Sequence, residues 1–247
     1  MKYKLWLFMT IVNVLSAGTI HVATAANMSY ALPKIIEAFH TLHPQIKVEM
    51  LIGGSGKLAT QISNGAPFDL FLSANMAYPQ SLYENGLTVA KPVIYAQGAL
   101  VLFSTKKRNF SKGINLLYQT SIEKIAIANP KTAPYGIAAM EALKRSALLD
   151  AIRHKFVYGE SISQTVIYAT RVADVGIIAK SALYSPQLSH YLEGINWYEI
   201  DAKLYTPISQ GMVLLKRASV NSDAEVFYAF MQSDKAKEIM KKFGYSI

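Results

Sequence analysis

Cysteine is absent from this 247-residue sequence, and charged residues are scarce. Without cysteine, the chain has neither disulfides nor thiolate ligands and nucleophiles. Asp, Glu, Lys and Arg together make up 17% of the residues, whereas 51% are hydrophobic. This composition excludes a disordered chain and allows one large or two modest domains with a sizeable core.

Patterns typical of catalytic sites are also lacking. The histidines are isolated from one another, and there is neither an H-E-x-x-H pair nor a G-x-S-x-G turn. Asp69 lies in an apolar stretch, where a hydrogen-bonded structural role is favoured because a buried acid needs partners. The sequence therefore predicts a protein that is not an enzyme.

Positive charge exceeds negative charge, with a formal net charge of +9 at pH 7. The densest basic run is Lys106-Lys107-Arg108, and a second occupies residues 235–242. Aromatic residues do not alternate with these basic residues as they do on surfaces that bind single strands. Nucleic-acid binding is therefore not favoured, and the basic surface indicates only a general attraction for anions.

The N-terminus is typical of a secretory signal. Lys2 and Lys4 precede an apolar stretch, residues 5–15, which is too short to span a bilayer. The small residues that follow predict a signal peptide over residues 1–18. An alternative cleavage site lies at residues 23–25. The earlier site is preferred because residues 19–23 resemble a β-strand that the mature protein would keep. We therefore expect a periplasmic protein, or one tethered by an uncleaved signal.

Strand-like and helix-like stretches alternate along the chain. Strands are predicted at residues 19–24, 46–52, 69–73, 99–104, 124–128, 156–157, 175–179, 196–200 and 211–216. Helices are predicted at 30–41, 57–64, 76–85, 134–145, 162–170 and 223–243. The alternation predicts an α/β fold with two lobes, each a mostly parallel sheet flanked by helices. We assign residues 19–97 plus 211–247 to lobe 1 and 98–210 to lobe 2; a single doubly wound domain is the alternative.

The most informative motif is Gly53-Gly54-Ser55-Gly56-Lys57, which joins an apolar strand to a helix. Helix N-termini expose unpaired N–H groups and partial positive charge, and a serine adds a hydroxyl, so this loop suits an anion. A phosphate loop of the Walker type is excluded by spacing, because Leu51 and Leu58 stand where glycine and Ser or Thr are required. An ordinary glycine-rich loop remains the alternative.

Three further junctions between strands and helices carry small or polar residues: 26–29, 129–136 and 159–163. In open α/β sheets, ligands bind at the carboxyl ends of the strands. If these junctions converge with the glycine-rich loop, they form a binding site of neutral donors without a fixed cation. Ordinary helix capping explains each junction taken alone.

The residues at these junctions resemble those of a known family. The segments that carry the resemblance are 25–27, 54–59, 61–62, 64–74, 129–130, 134–136, 139–143, 176–177 and 243–245. They are similar, in order and over nearly all of residues 19–247, to periplasmic molybdate-binding proteins of ABC-type importers. The resemblance implies a type II periplasmic-binding-protein fold with the ligand in the cleft between the lobes.

The resemblance also implies which residues bind the oxyanion. The family's donor positions correspond to Asn27, Ser55, Tyr135 and Ile162. These residues would contact the oxygens of molybdate or tungstate, so the metal would be bound only as its oxyanion. Some members add a tyrosine, whose position is taken here by Ala179. Thr24 is a candidate for a compensating contact.

The function implied is capture of molybdate, and of tungstate, and its delivery to the membrane subunits of an ABC importer. The protein is expected to be a monomer and to need no cofactor. Alternatives are a tungstate specialist, a binder of another oxyanion or small carboxylate, and a sensing or scaffold protein. An enzyme of the same fold would need an acid or base at the cleft; Glu160 and Lys57 are the nearest candidates.

Overall fold

Two five-stranded sheets form the framework of the computed structural model, which describes residues 18–247. The strands are Thr19–Ala25 (β1), Lys47–Gly53 (β2), Leu70–Ser73 (β3), Val93–Gly98 (β4), Leu100–Phe103 (β5), Ile125–Ala128 (β6), Phe156–Gly159 (β7), Val175–Ala179 (β8), Trp197–Glu199 (β9) and Ile208–Leu214 (β10). Their order is β2-β1-β3-β10-β4 in the first sheet and β7-β6-β8-β5-β9 in the second. In each sheet one strand, β10 or β5, runs against the other four. The predicted mostly parallel sheets are therefore confirmed, with one reversed strand in each.

Helices cover both faces of the sheets. They are Ala31–Leu42 (α1), Ser55–Ser63 (α2), Ala77–Glu84 (α3), Pro134–Arg145 (α4), Leu149–Ile152 (α5), Ile162–Arg171 (α6), Ser222–Met231 (α7) and Asp234–Lys242 (α8). In β3, Leu70 and Leu72 join the core beneath α1, α7 and α8, whereas Phe71 joins the core beneath α2 and α3. Burial on both faces explains why such strands are continuous apolar runs rather than alternating ones.

The chain passes between the two sheets twice. Strand β4 ends at Gly98 and β5 begins at Leu100, whereas the return lies between Glu199 and Ile208. The return was expected at residues 210–211; β10 starts earlier because residues 208–210 pair with β4. The lobe boundaries stay a prediction, and below lobe 1 and lobe 2 denote the first and second sheet with their helices.

The structure departs from the predicted elements at β4, at the short helix α5, which was also missed, and at residues 223–243. Strand β4 was missed; it is an edge strand, paired only to β10 within its sheet. The single helix predicted at 223–243 is two helices, because Ser233 ends the α7 segment and caps α8 by accepting a hydrogen bond from the Ala236 N–H (3.2 Å).

The predicted signal peptide, residues 1–18, lies outside the described residues except for Gly18. Within residues 18–247, no helix has both the length and the apolar character needed to cross a membrane.

Candidate functional site

A small cavity lies between the two lobes, at the carboxyl ends of β1, β2, β6 and β7. Its volume is about 10 Å³, roughly the space that one water molecule needs, and its walls come from both lobes. The lining residues are Ala25, Ala26, Asn27, Gly53, Gly54, Ser55, Ala74, Ala133, Pro134, Tyr135 and Ile162. Pockets for drug-sized ligands occupy about 300–1,000 Å³, so this cavity is far too small for a nucleotide.

Asn27, Ser55, Tyr135 and Ile162, the principal site residues expected from the sequence, all line this cavity. Each occupies the first or second position of a helix: Asn27 in the short 3-10 helix Ala26–Ser29, and the others in α2, α4 and α6. At these positions the backbone N–H has no acceptor within its own helix. The fold therefore brings together main-chain donors from both lobes.

No side-chain cap occupies the main-chain N–H groups of these four residues. The residues preceding the first three helices are Ala25, Gly54 and Ala133, and none of them makes a side-chain cap. Before α6, Ser161 accepts a hydrogen bond from Gln164 N–H (3.3 Å), two residues beyond Ile162. The N-terminal partial charges of α2, α4 and α6 favour an anion among these free N–H groups.

Ser55 provides a second kind of donor. Its side chain is buried, and its Oγ accepts a hydrogen bond from the Ala74 N–H (3.0 Å). This contact uses one of the two lone pairs of the oxygen and leaves the hydroxyl hydrogen available for a ligand. Lys57, in contrast, is exposed and does not line the cavity.

Asn27 is held by partners far away in the sequence. Its amide nitrogen donates to Gln210 Oε1 (2.9 Å) and to the Tyr245 hydroxyl (2.8 Å). Both amide hydrogens are thus committed, which leaves the main-chain N–H as the donor toward the cavity. The role of Gln210 was not predicted; it lies between Ser209 and Gly211 in β10, so no apolar run marked it as buried.

The cavity is uncharged. Among the described residues, those that line it include no Lys, Arg, His, Asp or Glu. Burial raises the pKa of Tyr245 to about 12. Burial and the neighbouring tyrosines likewise raise the pKa of Tyr135 well above its ordinary value. Both phenols are therefore neutral at physiological pH.

Several other residues considered in the sequence lie away from the cavity. Thr24 is fully buried within β1 and is not brought to the cavity wall. Asp69 accepts a hydrogen bond from His21 N–H (2.8 Å) and lies 3.5 Å from Arg217 Nε, in agreement with a structural role. The Glu160 carboxylate accepts from the Asn129 amide (3.2 Å), and Ala179 is buried at the end of β8.

The glycine-rich loop lets the lobes approach closely. Gly56 N–H donates across the cleft to Thr132 O (3.1 Å). A Cβ at Gly54 would lie only 3.1 Å from Glu160 O and 3.3 Å from Thr132 O. The contact between the lobes therefore leaves little room for a side chain at Gly54.

Comparison with known proteins identifies the family. The sequence profile described as "Bacterial extracellular solute-binding protein" matches residues 20–246, nearly the whole described chain. This chain is a bacterial extracellular solute-binding protein. Its two sheets and interlobe cavity are the arrangement that the sequence motifs implied.

Relatives of this solute-binding protein include two molybdate-binding proteins named ModA. The one from Azotobacter vinelandii is 36% identical, covering 94% of this chain and 91% of the relative. The one from Rhodobacter capsulatus is 37% identical, covering 93% and 89%. The solved periplasmic molybdate-binding protein of Azotobacter vinelandii superposes with a TM-score of 0.86 at 30% identity, covering 92% of this chain and 99% of that one. The resemblance to molybdate-binding proteins is thereby confirmed, as is the two-lobed fold.

Proposed function

We propose that this chain is the periplasmic binding protein of an ABC importer and that it captures molybdate, and also tungstate, in the interlobe cavity. The Ser55 hydroxyl and the main-chain N–H groups of Asn27, Ser55, Tyr135 and Ile162 donate to the oxyanion. The loaded, closed form then docks on the membrane subunits of the transporter, and the protein acts as a monomer without catalysing a reaction.

The observation that carries this proposal is the convergence of neutral donors on a small, buried cavity. An oxyanion needs its oxygens satisfied when it leaves water, and hydrogen bonds to charged groups are stronger than those between neutral groups. Pre-aligned N–H groups at helix N-termini supply this stabilisation without a counter-ion. The relatives named for molybdate support the choice among oxyanions.

Cavity size is the basis on which we expect selection against smaller oxyanions. Molybdate, tungstate and sulfate share tetrahedral geometry and the same charge, so the donors alone do not distinguish them. Because both lobes line the cavity, we expect them to close fully only around an anion that fits between them. The lack of an acid or base among the described lining residues supports binding rather than catalysis.

A thermal-shift comparison of molybdate, tungstate, sulfate, phosphate and vanadate tests the proposal. A ligand that binds the folded state alone raises Tm with its concentration. We expect large shifts with molybdate and tungstate, and small ones with sulfate and phosphate. If neither molybdate nor tungstate shifts Tm, the proposed function is wrong.

A further inference from the structure

We infer that Ser163, on α6 of lobe 2, is a positioning residue for the oxyanion although it does not line the cavity. Its hydroxyl donates to the main-chain carbonyl of Ala26 in lobe 1 (2.9 Å). The inference rests on the proposed function and adds to it a residue that couples lobe closure to a donor in the opposite lobe.

The first step concerns the peptide group that Ser163 contacts. The Ala26 carbonyl and the Asn27 N–H belong to the same peptide, which is trans. In a trans peptide the C=O and N–H bonds point in opposite directions. A donor fixed on the Ala26 oxygen therefore directs the Asn27 N–H away from Ser163, and Asn27 lines the cavity.

The second step concerns the strength of that donor. A hydrogen bond accepted by a carbonyl polarises the peptide and strengthens the bond that its N–H donates. The Ala26 carbonyl accepts two such bonds, one from Ser163 and one from Ser29 within lobe 1 (2.5 Å). The two serine oxygens are 3.4 Å apart, so both hydroxyls converge on one acceptor.

The third step concerns the link to lobe closure. Ser163 follows Ile162, the first residue of α6, which lines the cavity. The first turn of α6 in lobe 2 therefore supplies both the Ile162 N–H, a proposed oxyanion donor, and the Ser163 hydroxyl, which orients the Asn27 N–H of lobe 1. Ser181 makes a parallel contact from lobe 2, donating to the Asn27 carbonyl (3.0 Å). Ser163 reaches Ala26 only when the lobes are together, so its contribution appears in the closed, loaded form.

Titration calorimetry with sodium molybdate on the full chain tests this inference. We expect Ser163→Ala to weaken binding roughly three- to tenfold, the value of one modest hydrogen bond. Ser163→Thr, which keeps the hydroxyl, should restore the affinity. The matched control is Thr170→Val on the same helix, because the Thr170 hydroxyl bonds only carbonyls of α6 (2.9–3.0 Å); it should bind as wild type.

Two further measurements separate positioning from a general loss of stability. The Tm of the ligand-free protein should be the same for Ser163→Ala and Thr170→Val, since the interlobe bond belongs to the closed form. Small-angle scattering at saturating molybdate should show a larger radius of gyration for Ser163→Ala than for Ser29→Ala, which keeps the Ser163 bond to the Ala26 carbonyl between the lobes.

The outcomes distinguish the inference from the function on which it rests. If wild type binds molybdate and Ser163→Ala binds equally well, or if Ser163→Thr does not rescue a loss, the inference is wrong and the function stands. If Ser29→Ala and Ser163→Ala have the same affinity and the same compactness, the interlobe coupling is wrong. If wild type itself does not bind, both fail.

Discussion

The hydroxyl of Tyr245 donates a hydrogen bond to the main-chain carbonyl of Asn27 (2.9 Å) and accepts one from the amide of the same residue (2.8 Å). Both residues are buried, and 218 positions separate them in the sequence. The C-terminal segment thus fixes the main chain and the side chain of the loop that follows β1. Because the Asn27 N–H faces the cavity, the last residues of the chain help to define the candidate site.

Replacing Tyr245 with phenylalanine should destabilise the protein. The ring would still fill its space, but Asn27 would lose one donor and one acceptor in a buried environment. We expect the free energy of unfolding to fall by about 1–3 kcal/mol, measured by urea denaturation. Tyr228→Phe, at a half-buried position on α7, is the matched control; equal losses in the two variants would contradict a special role for the Tyr245 hydroxyl.

The raised pKa of Tyr245 predicts how stability depends on alkaline pH. The phenol ionises near 10 in the unfolded chain and at about 12 in the folded protein. Above pH 10 the unfolded state therefore releases a proton that the folded state retains. The contribution of this phenol to stability is fully present below pH 10 and is lost as the pH rises through 12. Urea midpoints between about pH 9 and pH 11 should fall less steeply in Tyr245→Phe than in wild type. Parallel slopes would contradict this assignment.

Removal of the Ser55 hydroxyl should weaken oxyanion binding. Ser55→Ala loses a hydrogen bond to a charged ligand, for which we expect about 1.5–3 kcal/mol, or roughly a 10- to 150-fold rise in Kd. Calorimetry with molybdate measures the change. Ser63→Ala, at the exposed end of the same helix, should leave the affinity unaltered. An unchanged Kd in Ser55→Ala would remove this hydroxyl from the site.

Gly54→Ala should hinder lobe closure without straining the backbone. The Gly54 backbone has φ −68° and ψ 136°, which is allowed for alanine. The added Cβ would nevertheless lie too close to the Thr132 and Glu160 carbonyl oxygens of lobe 2. We expect weaker molybdate binding and a larger radius of gyration for the saturated protein. Gly53→Ala is the comparison, because its Cβ meets only the Leu58 side chain in its own lobe; a larger effect there would contradict the interlobe explanation.

The junctions that line the candidate cavity were predictable because their features are local. A strand that ends in small residues before a helix produces free N–H groups wherever it occurs, so the loop at Ser55 could be proposed from a few neighbouring residues, whereas Ile162 was implied by the resemblance to the family. The convergence of the four junctions follows from α/β topology, which places the carboxyl ends of parallel strands at one edge.

The contacts that hold these donors were not predictable from local pattern. The partners of Asn27 are Gln210 and Tyr245, 183 and 218 positions away, and no periodicity connects them. Likewise, no local pattern shows that β1 buries Thr24 away from the described cavity wall; its compensating contact stays a prediction. Strand β4 was missed because Ile94 is exposed and its pairing depends on β10, more than a hundred residues later.

The absence of charged side chains from the described cavity wall affects the charge of the whole molecule. When a dianion enters, no lining group is available to take up a proton or to neutralise it. The loaded protein should therefore differ from the empty one by the ligand's entire double negative charge, on a chain that is strongly basic overall. Native electrophoresis would then resolve the two forms by mobility. The long-range electrostatic field that the importer encounters would also differ between the loaded and the empty protein.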